Sequence, residues 1–304
     1  MKIGTFFPQL EIGIDPGIIR EFGAATEELG YEFLEAMEHI VGVNPASRPG
    51  FSGPYNHHCL FHEPFVLLSY MAAVTKRIEL AMAILVLPQR QTALVAKQAA
   101  QLDVLSGGRL RLGVGIGWNR WEYEAIGADF TNRGKRIEEQ IALLRALWAD
   151  PLVEFNGAWE QIHAAGINPL PVQKHIPIWF GGMAEPVLKR IGRMGDGWFP
   201  KFPSLDPKLM KVGLERNLQD PKDLIARMHG YAREAGRDPA AIGFEGRINV
   251  AGRTPDEWRA EYNSWRDIGA THINVYTIQG GLEKPQDHID IIRRVRDELP
   301  EAFA

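Results

Sequence analysis

Two short segments of this 304-residue chain combine residue types that can do chemistry. Glu38-His39 places an imidazole and a carboxyl directly after an apolar run. A histidine titrates near neutral pH, so His39 can give or take a proton. The plainer alternative is a histidine that hydrogen-bonds the loop after it. Gly181-Gly182-Met183-Ala184 precedes a helical pattern with Pro186 near its start. Glycines let backbone amides approach an anion, and a helix N-terminus carries partial positive charge. A tight strand-to-helix turn is the alternative there, and Glu185 would repel an anion if it faced inward. A third segment, Gly113-Val114-Gly115-Ile116-Gly117-Trp118, has the small residues that admit a second backbone or a flat ring. Barrel packing would need them equally.

Other chemistries find little support. His57, His58, His62 and Glu63 form the one metal-like grouping. Their stretch lacks helical character, Pro64 follows directly, and no strand-end carboxylate set joins them, so no metal centre is expected. The serine elbow G-x-S-x-G does not occur. A single cysteine, Cys59, excludes an internal disulfide and fits a reducing cytoplasm. Lys and Arg total 34 against 38 Asp and Glu, so no positive excess draws the chain to nucleic acid or anionic lipid. The most apolar stretch, 78–88, is too short to span a bilayer, and no export pattern opens the chain. A cytoplasmic protein acting on small molecules is the expectation.

These groups must be positioned by a repeating framework. Short apolar runs at 3–7, 33–37, 78–87, 110–116, 176–180, 197–200, 242–250 and 272–276 read as strands. Helical patterns alternate with them at 16–29, 64–75, 92–105, 133–148, 186–194, 223–235, 255–268 and 286–299. Run 78–87 is almost wholly apolar, as suits a parallel strand covered on both faces. Eight strand–helix units imply an α/β fold, a (β/α)8 TIM barrel, as one domain over 1–304. An open doubly wound sheet would need G-x-G-x-x-G in a strand-to-helix turn, and Gly113, Gly115 and Gly117 give G-x-G-x-G instead. Two insertions break the rhythm. Segment 40–62, after strand two, is expected to form a lid or substrate loop over the mouth. Segment 151–175, before strand five, holds Asn156-Gly157 and is expected to form a hairpin. Eight Trp and fourteen Phe suit either a large aromatic core or a pocket for a flat ligand.

The strand ends taken together resemble the luciferase-like superfamily of flavin- and deazaflavin-dependent oxidoreductases. The resemblance covers nearly the whole chain. It rests on Glu27-Glu28-Leu29-Gly30-Tyr31, Glu38-His39, Leu85-Val86-Leu87-Pro88-Gln89-Arg90 and Ala96-Lys97-Gln98. It continues through Asp103-Val104-Leu105-Ser106-Gly107-Gly108-Arg109, Gly113 to Trp118, Pro177-Ile178-Trp179-Phe180-Gly181-Gly182 and Gly195-Asp196-Gly197-Trp198-Phe199-Pro200. Each is weak alone; their order and spacing are specific. The resemblance implies an isoalloxazine-like ring at the barrel mouth, with its phosphate on the turn Gly181, Gly182, Met183 and Ala184. It implies a non-prolyl cis peptide at Ala83-Ile84 behind the ring. It assigns Glu38, Val86, Gly117 and Trp118 to the cofactor's surroundings and His39 to its reacting face. It points to coenzyme F420, with FMN and a partner reductase as the alternative, and to a homodimer. F420 carries an anionic tail, for which Arg90 and Lys201 are candidate partners.

One departure matters. Some sugar-phosphate dehydrogenases of the deazaflavin branch carry a catalytic Glu where this chain has Trp118, which offers a wall for an apolar substrate instead. Glu122, one turn on, is the remaining candidate for that carboxyl. Hydride transfer to or from a small, fairly apolar molecule is the resulting expectation. A barrel that binds flavin passively, or a cofactor-free lyase or hydrolase, are the rivals; the latter needs a strand-end Lys or carboxylate pair that is not found.

Overall fold

The computed structural model describes residues 1–200, 202 and 220–304. Eight parallel strands close into a barrel in the order β1 (Lys2–Phe6), β2 (Phe33–Ala36), β3 (Glu79–Val86), β4 (Leu110–Gly115), β7 (Ile178–Gly181), β8 (Gly197–Phe199), β9 (Gly243–Asn249) and β10 (His272–Tyr276), which pairs back onto β1. The eight apolar runs of the sequence are these eight strands, and the expected barrel is the observed one. The separate antiparallel pair β5 (Val153–Asn156) and β6 (Gln161–Ala165) is the expected hairpin. The Glu139 carboxylate accepts from the amides of Ala158, Trp159 and Glu160 at its tip, at 2.7–2.9 Å.

Helices α1 (Pro16–Glu28), α2 (Pro64–Val74), α3 (Thr92–Ser106), α5 (Arg133–Ala149), α6 (Glu185–Met194), α7 (Pro221–Glu234), α8 (Pro255–Asp267) and α9 (Pro285–Glu298) match the helical patterns within a few residues. Their ends follow local chemistry. Asp15 accepts from the Gly17 and Ile18 amides at the start of α1. Thr254 and Glu257 form a reciprocal capping box on α8. Gly107, at φ +71, closes α3 in the left-handed conformation that favours glycine. One helix is unexpected: α4 (Arg120–Ala125), six residues between β4 and α5. Asn119 caps it through the Trp121 amide at 3.2 Å, and Tyr123 donates back to the Ile116 carbonyl at 2.7 Å. Its length is too short to show a helical period, although Asn119 followed by Glu122 is a capping pattern.

The aromatic residues divide between core and mouth. Trp148, Trp198, Trp258 and Trp265 are fully buried, and each indole N–H donates to a carbonyl, of Ala96, Gly182, Val250 and Arg247 respectively. Such pairing removes the cost of burying the indole nitrogen. Trp118, Tyr55 and Phe61 gather instead around His39. Among the described residues no helix is long and apolar enough to cross a membrane.

Candidate active site

The C-terminal mouth of the barrel is apolar. Phe6, Met37, Tyr276 and Ile278 form a small cluster of their own, joined by Leu10, Ala83 and the Tyr55 and Phe61 rings of the 40–62 loop. That loop also covers Trp118: a Cβ on Gly53 would come within 1.9 Å of the indole. The floor is set by β3. Its Ala83–Ile84 peptide is cis, as the resemblance implied, and the β3–β4 register shifts between Met82 and Leu85.

This irregular strand explains the glycines of β4. A Cβ at Gly113 would meet the Met82 carbonyl at 1.9 Å, one at Gly115 the Ile84 side chain at 2.6 Å, and one at Gly117 the Val86 side chain at 2.6 Å. Gly181 on β7 gives way to Ile84 in the same manner, at 2.9 Å. Of the two roles the sequence allows for G-x-G-x-G, close approach by a neighbouring strand is the one these contacts display.

His39 stands at the rim just beyond β2. Its Nδ1 lies 2.9 Å from Oε1 of Glu122 on α4, and the Ile40 amide donates to the same oxygen at 3.1 Å. Both side chains are shielded, at 12% and 2% exposure. The ring centroid lies 4.7 Å from that of Phe61, 5.1 Å from Tyr55 and 5.9 Å from Trp118. Burial pushes the Tyr55 hydroxyl up to about 12, so it stays protonated and neutral beside the imidazole.

Glu38 points elsewhere. One oxygen accepts from the Val86 amide at 2.6 Å; the other is held by the Arg90 guanidinium, with Nε at 2.7 Å. Burial raises the Glu38 carboxyl above its ordinary range, against the pull of Arg90. Arg90 also reaches Glu63 at 2.8 Å, so this guanidinium, a candidate for an anionic tail, is engaged by two carboxylates. Lys201, the other candidate, lies outside the described residues. A hollow of about 310 Å³ opens beside Glu38, His39, Ile40, Phe61, Glu63 and Arg90. A larger one of about 440 Å³ lies at the opposite end, among Lys2, Glu32, Arg77 and Arg109. The first adjoins the histidine and the strand C-termini, where barrels place reacting groups.

Across the mouth, Gly181 to Ala184 leads into α6. Gly182 sits at φ +121, a conformation other residues rarely adopt, and its carbonyl accepts from the Trp198 indole at 2.7 Å. The N-cap residue of α6 is Ala184, whose side chain makes no capping hydrogen bond. Among the described residues, none accepts from the Met183 and Ala184 amides. Glu185 does not face the turn: its carboxylate is held by Tyr231 and Arg227 on α7. The repulsion considered from sequence is thereby removed.

Of the loop histidines, the His57 and His58 rings lie 3.9 Å apart and His62 is bound elsewhere. His57 Nδ1 lies 3.3 Å from the Val43 carbonyl and His62 Nε2 3.2 Å from that of Gly13. Among the described residues no three His, Cys, Asp or Glu are grouped to hold a metal. Sequence reasoning did not anticipate the contact of Glu122 with His39, or the approach of Tyr55 and Phe61 to the ring. Its place one turn after Trp118 marks Glu122 as a candidate carboxyl, and Asn119 three residues before it is a capping pattern.

A closed parallel barrel with an apolar mouth, an anchored rim histidine and an uncapped glycine turn defines the architecture. The chain belongs to the luciferase-like monooxygenase family, whose profile matches residues 1–303. An uncharacterised protein of Mycobacterium tuberculosis is 43% identical over 179 residues, 58% of this chain and 56% of that protein, so the match spans little more than half of it. An F420-dependent glucose-6-phosphate dehydrogenase of Gordonia bronchialis is 28% identical over 296 residues, 94% of this chain and 77% of that one. Among solved structures, monooxygenase RslO1 of Streptomyces bottropensis superposes with a TM-score of 0.78 at 19% identity, over 100% of both chains. A pyrimidine monooxygenase, RutA, of Allorhizobium ampelinum is 28% identical over 255 residues, 79% of this chain and 65% of that one, so a dehydrogenase and a monooxygenase are both among its relatives.

Proposed function

We propose that the chain is an F420-dependent oxidoreductase moving a hydride between the deazaflavin and a small, fairly apolar organic molecule. The observation that carries this reading is the mouth itself. A single anchored imidazole lies beside a hollow and against the Tyr55, Phe61 and Trp118 rings, and the turn opposite offers amides for which no described residue is an acceptor. The fit to such a cofactor rests on that turn: Gly182 keeps it open, and Glu185 is turned away. Residues Gly181 to Ala184 would hold the phosphate, and Ala83, Ile84, Val86, Gly117 and Trp118 would surround the ring. Similarity to an F420-dependent dehydrogenase along nearly the whole chain supports the deazaflavin.

When bound, the deazaflavin supplies two-electron hydride chemistry. The protein handles the accompanying proton. Oε1 of Glu122, as a carboxylate, only accepts, so His39 Nδ1 carries the hydrogen between them. Nε2 is then the nitrogen free to give or take a proton at a substrate heteroatom. Tyr55, Phe61 and Trp118 surround the ring with apolar surface, and the 40–62 loop would exclude water as a lid. Trp118 in place of a carboxyl disfavours a phosphosugar.

Separate titrations of the purified chain with F420 and FMN, followed by Trp fluorescence, test the assignment. Saturable quenching by F420 is expected. Tight binding of FMN with no response to F420 would replace it with a flavin monooxygenase served by a reductase.

A further inference from the structure

We propose that Glu122 is a positioning residue that fixes both the tautomer and the orientation of His39; the catalytic meaning of this rests on the function proposed above. The geometry is specific. One oxygen of a carboxylate only 2% exposed meets two donors from consecutive residues, His39 Nδ1 at 2.9 Å and the Ile40 amide at 3.1 Å. The amide is the first of the 40–62 loop, so the histidine and the root of that loop share a single anchor. The anchor is itself held at both ends of its helix: Asn119 caps α4, and the Tyr123 hydroxyl ties it to the end of β4. Among the described residues, the rings against the imidazole are those of Tyr55, Phe61 and Trp118.

Without the carboxylate, Nδ1 loses its acceptor and the ring is free to rotate or to shift its proton to Nε2. That tautomer presents a hydrogen at Nε2 where a base needs a lone pair. The Ile40 amide makes a further discrimination. It requires an acceptor oxygen at the Oε1 position, so in Glu122→Gln it should draw the amide oxygen, not the NH2, toward both donors. Glu122→Gln should therefore keep the tautomer, and Glu122→Leu should lose it.

The decisive measurement is the ¹⁵N signature of the His39 ring in the protein without cofactor, taken about two pH units above the ordinary histidine value of about 6.5. Wild type and Glu122→Gln should show hydrogen on Nδ1 with Nε2 unprotonated; Glu122→Leu should show a mixture. In turnover, Glu122→Leu should lower kcat by about 10–100-fold, the size expected when a histidine's orienting carboxylate is removed. KM and the cofactor Kd should stay within about twofold, well below the 1.4 kcal/mol that a tenfold change represents. A wild-type ring protonated on Nε2 would overturn the assignment even if Glu122→Leu fails to fold. So would a Glu122→Leu variant with the wild-type ring signature, or one whose loss is all in KM. Because the ring signature needs no cofactor, failure of F420 to bind would remove the proposed function and leave this assignment standing.

Discussion

The two ends of the barrel interior handle buried polar groups in opposite ways. Toward the strand N-termini, Arg111 is 2% exposed and meets Glu79 at 2.5 Å, Glu35 at 3.2 Å and Glu245 at 3.6 Å. Its guanidinium also lies over the rings of Trp179, Phe33 and Phe199, and Asn274 donates to Glu35 at 2.8 Å. Every charge there is matched within the protein. At the mouth the Glu38–Arg90–Glu63 group is likewise matched, but two groups are matched only in part: His39 through Nδ1, and the Gly181 to Ala184 turn through the Gly182 carbonyl and amide. A buried charge needs partners, so the Arg111 cluster serves to hold the strands together. Groups left with an unused nitrogen or amide toward a hollow are available to a ligand. The contrast separates residues whose loss harms the fold from residues whose loss harms the reaction.

The largest effect should come at the mouth. His39→Ala should reduce turnover by about 10²–10⁴-fold with little change in cofactor affinity or melting temperature; steady-state rates beside a thermal melt check this, and wild-type turnover would remove His39 from the mechanism. At the base, Arg111→Met strands three carboxyl groups and should cost about 3–5 kcal/mol, measured by urea unfolding. A stable Arg111→Met protein that failed to bind cofactor would dissolve the distinction between the two ends. Gly182→Val should weaken cofactor binding by about tenfold, the equivalent of one lost backbone hydrogen bond. Part of the stability should go with it, since valine is strained at φ +121. Unchanged affinity would place the phosphate elsewhere.

Smaller effects concern protons. Burial, helped by Arg111, drives His272 at the base down to about 2, and burial drives His288 behind the mouth down to about 4. Both are neutral in the fold, whereas the unfolded chain protonates them below about 6.5. Their contribution to stability should be full above that value and fall as pH drops toward about 4, and His288→Gln should flatten the slope. Denaturant unfolding at stepped pH reads it directly; an identical slope in the variant would exclude His288. An opposite dependence is expected from Glu245. Burial and the neighbouring Glu35 carboxyl push it well above the ordinary range, so the fold keeps its proton while the unfolded chain sheds it. Stability should decline as pH rises from about 4.3, and Glu245→Gln should remove that part of the decline.

Much of this protein is written locally. Alternating periods of apolar residues define strands and helices because each depends on neighbours two to four positions away. Gly107, Thr254 with Glu257, and Asn156-Gly157 mark their ends for the same reason, through backbone conformations and caps that the residues themselves prefer. His39 was legible as a strand-end histidine, and the Gly181 to Ala184 turn as a place where amides can gather. The direction of Glu38 was not legible: its oxygens are taken by Val86 and Arg90, which lie 48 and 52 residues away. The meaning of Gly113, Gly115 and Gly117 also required the fold, since it lies in the shape of the adjacent strand β3.

By itself, then, the order of residues determined an eightfold βα chain, its two insertions and a histidine at a strand terminus. Closure of the barrel decided the rest. It carried Glu122 across 83 residues to His39, turned Glu185 toward α7, and brought Tyr55 and Phe61 over the opening. Backbone preference acts within a few residues, whereas a hydrogen bond between distant side chains exists only once the strands between them have closed into a ring.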